Sequence, residues 1–214
     1  MSERGESARD AQQRVGDARR ALTASTRALL EAVLAADHVN DADLTTATTM
    51  IDALTAGLRE GSPPPEALPR PAERRQYGDY LPRSLLTGLV HPVSPAAAWT
   101  FADGVLDVRA VLSELYEGPP GYVHGGFVAL AFDELFGMVN VLNGLGGLTG
   151  RLTVRYRRPT PLGEELRMTG WIAEHAGRRI RTRGTIHAGD VVTAEAEGLF
   201  VMLLPETARD YFGD

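Results

Sequence analysis

The stretch Tyr122-Val123-His124-Gly125-Gly126-Phe127-Val128-Ala129-Leu130-Ala131-Phe132-Asp133-Glu134-Leu135-Phe136-Gly137-Met138-Val139-Asn140-Val141-Leu142 decides the fold. Phe127, Val128, Leu130, Ala131, Phe132, Leu135, Phe136, Met138 and Val139 put apolar side chains almost all round a helical path, which predicts a helix buried on most faces. Something must wrap it, and the chain that follows has the right pattern. LTVRYRRP (from Leu152), ELRMTGWIAEH (from Glu165), RRIRTRGTIHAG (from Arg178) and VVTAEAEGLFVMLLP (from Val191) are strand-like runs separated by the short turn signals PLGE, HAGR and AGD. Upstream, AWTFADG (from Ala98) and VLDVRAVLSEL (from Val105) alternate with period two, and the loop YEGPPGYV then leads into the helix. The order of strands, one buried helix and a four-strand meander predicts an α+β domain over residues 84–205, with an antiparallel sheet around a central helix.

Before that domain the periodicity is helical. Val15, Ala18, Leu22, Leu29, Leu30, Val33 and Leu34 recur at steps of three and four within residues 8–36. After the cap signal Asn40-Asp41, the residues Leu44, Ala47, Ile51, Leu54 and Leu58 repeat the spacing until Gly61. Residues 1–60 are therefore expected to form a helical hairpin. It carries no chemical group on its apolar face, which favours a packing or dimer-stabilising extension over a lid on a substrate tunnel. Residues 61–83, with GSPPPEALPRPAERR, read as a proline-rich linker, because proline lacks the amide donor and restricts the residue before it. Residues 206–214 form a tail.

Composition narrows the chemistry. The 214 residues carry a formal net charge of -6, so neither nucleic acid nor an anionic membrane is the expected partner. All 22 basic residues are arginine, and there is no cysteine. Disulfides, thiolate metal sites and cysteine nucleophiles are thereby removed, and a reducing cytoplasm is the expected compartment. His124, His175 and His187 lack metal-ligand spacing, so no metal is expected. No basic segment followed by an apolar one opens the chain, and no membrane insertion is expected.

The candidate site lies on the central helix. Gly125 and Gly126 at its start let a ligand approach bare amides, and the first turn of a helix leaves N–H groups unpaired at the positive end of the dipole. A polarised carbonyl oxygen fits there. Asp133 and Glu134 are the acids inside the helix, and a carboxylate among Phe127, Leu130, Phe132 and Phe136 is costly without a partner or a task. Asp133 lies eight residues beyond Gly125, about 12 Å along one helix at its usual rise. If both groups act on one atom, they come from two antiparallel helices, which predicts a symmetric dimer with shared sites.

His124-Gly125-Gly126, Asp133 nine positions after the histidine, and the strand and turn Leu152-Thr153-Val154-Arg155-Tyr156-Arg157-Arg158-Pro159-Thr160-Pro161-Leu162 together resemble the hotdog-fold acyl-CoA thioesterases of the phenylacetate-pathway (PaaI-like) branch. The resemblance runs from roughly Ser84 to Pro205 and leaves the helical hairpin outside. It implies a hotdog fold and hydrolysis of an acyl-CoA thioester to free acid and coenzyme A, in fatty acid metabolism. Coenzyme A would enter only as part of the substrate, with no cofactor. It implies Asp133 as general base or nucleophile, the Gly125 and Gly126 amides as oxyanion donors and His124 orienting the substrate. It also implies Thr149, near the start of the strand after the helix, as a hydroxyl that helps place the water; a turn threonine is the alternative. The assembly implied is a homodimer or a dimer of dimers.

On RLTVRYRRP the period-two rule sets Leu152, Val154 and Tyr156 toward the helix and Arg151, Thr153, Arg155 and Arg157 away from it. Arg178, Arg179, Arg181 and Arg183 form a second basic cluster. Forked guanidinium donors suit the nucleotide phosphates of coenzyme A, so Arg155, Arg157, Arg178, Arg179 and Arg181 are candidate substrate-binding residues, the first three foremost. A solvated basic face balanced by Glu164, Glu165 and Glu174 fits any single arginine as well. Two other functions compete with hydrolysis: a hotdog hydratase or dehydratase, with His124 and Asp133 as acid and base, and a non-catalytic acyl-CoA-binding protein.

Overall fold

The computed structural model describes residues 16–62 and 83–203. Along them run α1 (Asp17–Leu34), α2 (Asp41–Glu60), β1 (Ala98–Ala102), β2 (Val105–Val111), α3 (Gly125–Leu142), β3 (Leu148–Tyr156), β4 (Glu165–Ala176), β5 (Arg179–Ala188) and β6 (Val191–Val201). The strands form one antiparallel sheet in the order β1-β2-β4-β5-β6-β3. The connection through α3 carries the chain from β2 to the far edge, and the later hairpins fill the space between. Apart from Gly61, Ser62 and Arg83, the expected linker lies outside the described residues, as do the start of the first helix before Gly16 and the tail 206–214.

The sheet curls around α3, as the apolar pattern predicts. Val128, Phe132, Leu135, Phe136, Met138, Val139 and Leu142 of the helix are buried, and α3 packs against every strand from β2 to β6. Close approach depends on glycines that cross the sheet beneath the helix. A Cβ on Gly170 of β4 would lie 3.0 Å from Val139, one on its register partner Gly184 of β5 would lie 2.8 Å from the Phe136 ring, and one on Gly198 of β6 would also lie 2.8 Å from Phe136. Bare backbone at these positions is what lets phenylalanine fill the concave face. By length and composition α3 would also suffice to span a membrane, but half of its positions are buried inside the protein.

The helix is buried on most faces, as expected, but Gly126 and Asp133 are exposed and Leu130 and Gly137 are half-exposed, marking one stripe that the sheet leaves open. Three expectations need correction. Strand β3 begins at Leu148 rather than Leu152, so Thr149 is in the sheet rather than in a turn. Glu114 and Leu115, expected at the end of a strand, and Tyr116, expected to open the following loop, form a 3-10 turn. Finally, α1 turns Thr23, Arg27, Leu30 and Glu31 toward the main domain, while its apolar residues Leu22, Leu29 and Val33 face outward. The Asn40 cap is as expected: its side chain accepts from the Asp43 N–H at 3.0 Å and starts α2.

Candidate active site

Proline and glycine build the approach to α3. In Glu117-Gly118-Pro119-Pro120-Gly121 the chain reverses, with Tyr122 N–H donating to Pro119 O and Gly118 N–H to Tyr122 O, both at 2.9 Å, and Gly121 at φ +81. Gly118 must be glycine, since a Cβ there would sit 2.7 Å from the His124 Cα. Val123 N–H then donates to Thr160 O at 2.9 Å and His124 N–H to Tyr116 O at 2.8 Å, which locks the residue before the helix from two sides.

His124 is the N-cap of α3. Its Nδ1 accepts from the Gly126 N–H at 3.0 Å, so the neutral ring carries its proton on Nε2. A Cβ on Gly126 would come within 3.0 Å of that same Nδ1, which explains the second glycine. The cap changes the expected division of labour: the Gly126 amide is already engaged by His124, whereas the Gly125 N–H makes no hydrogen bond among the described residues. The phenol of Tyr156 donates to Gly125 O at 2.8 Å and holds that peptide in place. Tyr156 was read from the sequence only as a residue facing the helix; its hydroxyl at the sheet edge beside the glycines was the available signal.

Asp133 sits on the open stripe of α3, two turns beyond Gly125. Its Oδ1 accepts from the Thr149 hydroxyl at 2.7 Å. Strict alternation back from Leu152 would turn Thr149 to the outer face, but β3 carries a bulge between Thr149 and Arg151. The extra residue, Gly150, resets the alternation so that Thr149 pairs with Phe200 and faces the helix. The expectation of a carboxylate embedded among phenylalanines is overturned: Asp133 is exposed in this chain, and the part-buried acid is its neighbour. Glu134 Oε2 accepts from the Ser84 hydroxyl at 2.6 Å and from the Leu85 N–H at 3.2 Å, anchoring the segment that leads into β1.

Behind the cap, the Tyr116 ring packs against Phe127 at a tilt of 46° with ring centroids 4.3 Å apart, and its hydroxyl donates to Val93 O at 2.8 Å. Burial pushes the Tyr116 phenol up to about 12, with the Arg27 charge pulling the other way and Glu31 adding to the rise. Arg27 and Glu31 belong to α1, so the first helix docks on the wall that supports His124.

The candidate arginines divide into two groups. Arg155, Arg157 and Arg181 lie on the outer face of the sheet, opposite Asp133. Glu195 takes Arg157 at 2.5 Å and Arg155 at 4.0 Å, while Glu197 takes Arg181 at 2.5 Å and Arg183 at 2.8 Å. Hydrogen bonds from Arg183 and Arg181 hold the Glu197 carboxyl below its ordinary value. β6 separates the two basic strands, so the groove lined by Thr153, Arg155, Trp171, Arg183, Glu195 and Glu197 has carboxylates along its floor. Arg178 and Arg179, at the β4–β5 turn, form no ion pair among the described residues; Arg178 Nε donates to Met202 O at 2.8 Å. Among the described residues no three His, Asp or Glu side chains converge as a metal site.

Comparison with known proteins identifies the family. The model of the thioesterase superfamily matches residues 120–196, a span that holds His124, Gly125, Gly126, Asp133 and Thr149. The acyl-coenzyme A thioesterase THEM4 of Xenopus laevis is 36% identical over 91 residues, 42% of this chain and 41% of that protein. The Mus musculus THEM4 is 33% identical over 92 residues, 42% and 40% of the two chains. This chain thus spans about two fifths of the length of the curated relatives it matches. The crystal structure of protein RHA08564, a thioesterase superfamily protein, superposes with a TM-score of 0.77 at 33% identity, covering 87% of this chain and 96% of that one.

Proposed function

The chain belongs to the thioesterase superfamily and has its hotdog fold, and from that premise we propose that it hydrolyses acyl-CoA thioesters to the free acid and coenzyme A in a homodimer whose sites are shared. The observation that carries this reading is the hydrogen bond from Thr149 to Asp133 on the open stripe of α3. With Oδ1 held by the Thr149 hydroxyl, Oδ2 is left to take a proton from water. The oxygen of that water adds to the thioester carbonyl carbon, the C–S bond breaks, and the coenzyme A thiolate leaves and is then protonated. Thr149 keeps a lone pair with which to orient the water.

The carbonyl oxygen gains negative charge as water adds, and it needs a donor that is not already engaged. On this chain that donor is the Gly125 N–H, at the positive end of α3. His124 Nε2–H offers a second contact to the substrate. Because Gly125 and Asp133 of one helix are about 12 Å apart, the donor belongs to the second copy, whose α3 lies antiparallel along the open stripe. Gly126, Asp133 and Gly137 are small enough on that stripe for two helices to approach closely. The coenzyme A phosphates are assigned to Arg178 and Arg179, since Arg155, Arg157 and Arg181 are matched by glutamates that repel phosphate.

Replacing Asp133 by Asn tests the function. It keeps the shape and the Thr149 contact but removes the base, so acyl-CoA hydrolysis falls by roughly 10²- to 10⁴-fold while circular dichroism and solution mass stay unchanged. Wild-type turnover by Asp133→Asn would refute the assignment.

A further inference from the structure

Helix α2 is 20 residues long, and none of them is buried. Leu44, Ala47, Ile51, Leu54 and Leu58 recur at alternating steps of three and four, which are the a and d positions of a heptad. Of the sixteen large hydrophobic side chains exposed among the described residues, nine lie between Leu22 and Leu58. Eight of these nine gather on the two helices, with Val39 in the connection between them, rather than scattering singly over the surface, as exposed apolar residues ordinarily do. No strand packs along α2, and α1 reaches the main domain through its polar side. The 3-4 spacing selects another helix as the occupant, since knobs-into-holes packing along a narrow seam is what that period serves.

Charge decides which helix it is. The positions flanking the seam are Thr48 and Thr55 on one side and Met50 and Gly57 on the other, so an identical helix meets no like charge along the body of the seam. Asp41 and Asp43 flank its start, while Arg59 and Glu60 together leave its last turn without net charge. A parallel pair would bring the aspartates of both copies together. An antiparallel pair sets them beside the partner's last turn and opposes the two helix dipoles. We propose that α2 is a self-association element that packs antiparallel against α2 of a second copy of this chain through Leu44, Ile51, Leu54 and Leu58. This contact is independent of the catalytic reading, because it uses no residue of the main domain.

The absence of cysteine makes the test direct. Ile51→Cys places a single thiol in the seam, and Thr49→Cys places one on the opposite side of the same exposed helix. With a short bis-maleimide on the full-length protein, Ile51→Cys is expected to yield at least about tenfold more covalent dimer than Thr49→Cys, as seam and outward heptad positions require. Leu44→Glu with Leu54→Glu is expected to lower the mass measured by light scattering while acyl-CoA hydrolysis stays within about twofold of wild type, since the charges fall only in the seam. Equal cross-linking at the two positions, or an unchanged mass in the double variant, overturns the proposal and assigns the stripe to another occupant.

Discussion

The Thr149 hydroxyl meets Asp133 Oδ1 at 2.7 Å because a one-residue bulge at Gly150 turns it off the outer face of β3 and onto the helix side. A hydrogen bond to a carboxylate is stronger than a neutral one and fixes the oxygen it engages. Thr149→Ala is expected to lower kcat by roughly 10- to 100-fold, less than loss of the base itself, with KM changed little. Thr149→Ser restores most of the rate. Steady-state kinetics on one acyl-CoA decides it; a Thr149→Ala enzyme with unchanged kcat would mean the hydroxyl only closes a turn.

The glycine track under α3 makes a prediction about stability. At Gly170 an added Cβ meets movable side-chain atoms of Val139 and Leu135, whereas at Gly184 it would lie 2.6 Å from the Thr169 carbonyl oxygen. Gly184→Ala therefore costs about 3 kcal/mol or more and Gly170→Ala about 1–2. Val139→Ala should partly rescue only the second. Urea unfolding of the two glycine variants, each alone and combined with Val139→Ala, and of Val139→Ala itself checks this, and equal costs at the two glycines would show that the sheet adjusts freely.

Tyr116 provides a pH signature. Its phenol has a folded value of about 12 against an ordinary 10.0, so the unfolded chain loses this proton first as pH rises. The stabilisation is complete below about pH 10 and is lost as pH climbs toward 12. Tyr116→Phe leaves Val93 O without its hydrogen bond and costs about 1–2 kcal/mol near neutral pH. At pH 11 the deficit shrinks by about 1.4 kcal/mol, since one pH unit is worth that much. No lysine titrates in this range to obscure the result. Parallel stability curves for the two proteins from pH 8 to 11 would contradict the account.

Much of this was legible in the sequence. The all-round apolarity of Phe127–Val139 and the four alternating runs after it gave the wrapped helix, and His124-Gly125-Gly126 with Asp133 pointed to the candidate site. What was hidden depended on register or on tertiary choice. Period-two reading has no way to see the Gly150 bulge, so it misplaces the start of β3 and the direction of Thr149. Composition separates neither of two adjacent acids, and it is packing that anchors Glu134 on Ser84 and leaves Asp133 in the open. The arginines alternated as expected, but which carboxylates faced them followed from β6 lying between β3 and β5.

The central claim of the proposed mechanism is that Asp133 of one protomer serves the Gly125 amide of another. Gly125→Pro deletes that N–H at the first helical position, where proline's fixed φ suits the helix and His124 at ψ 130 tolerates a following proline. Asp133→Asn and Gly125→Pro homodimers should each be nearly inactive. Co-refolded in equal amounts, half of the dimers are hybrids with one intact site of two, so about one quarter of wild-type activity should return. Hydrolysis that stays at the level of the separate variants, with hybrids confirmed by tagged co-purification, would contradict a site built from two chains.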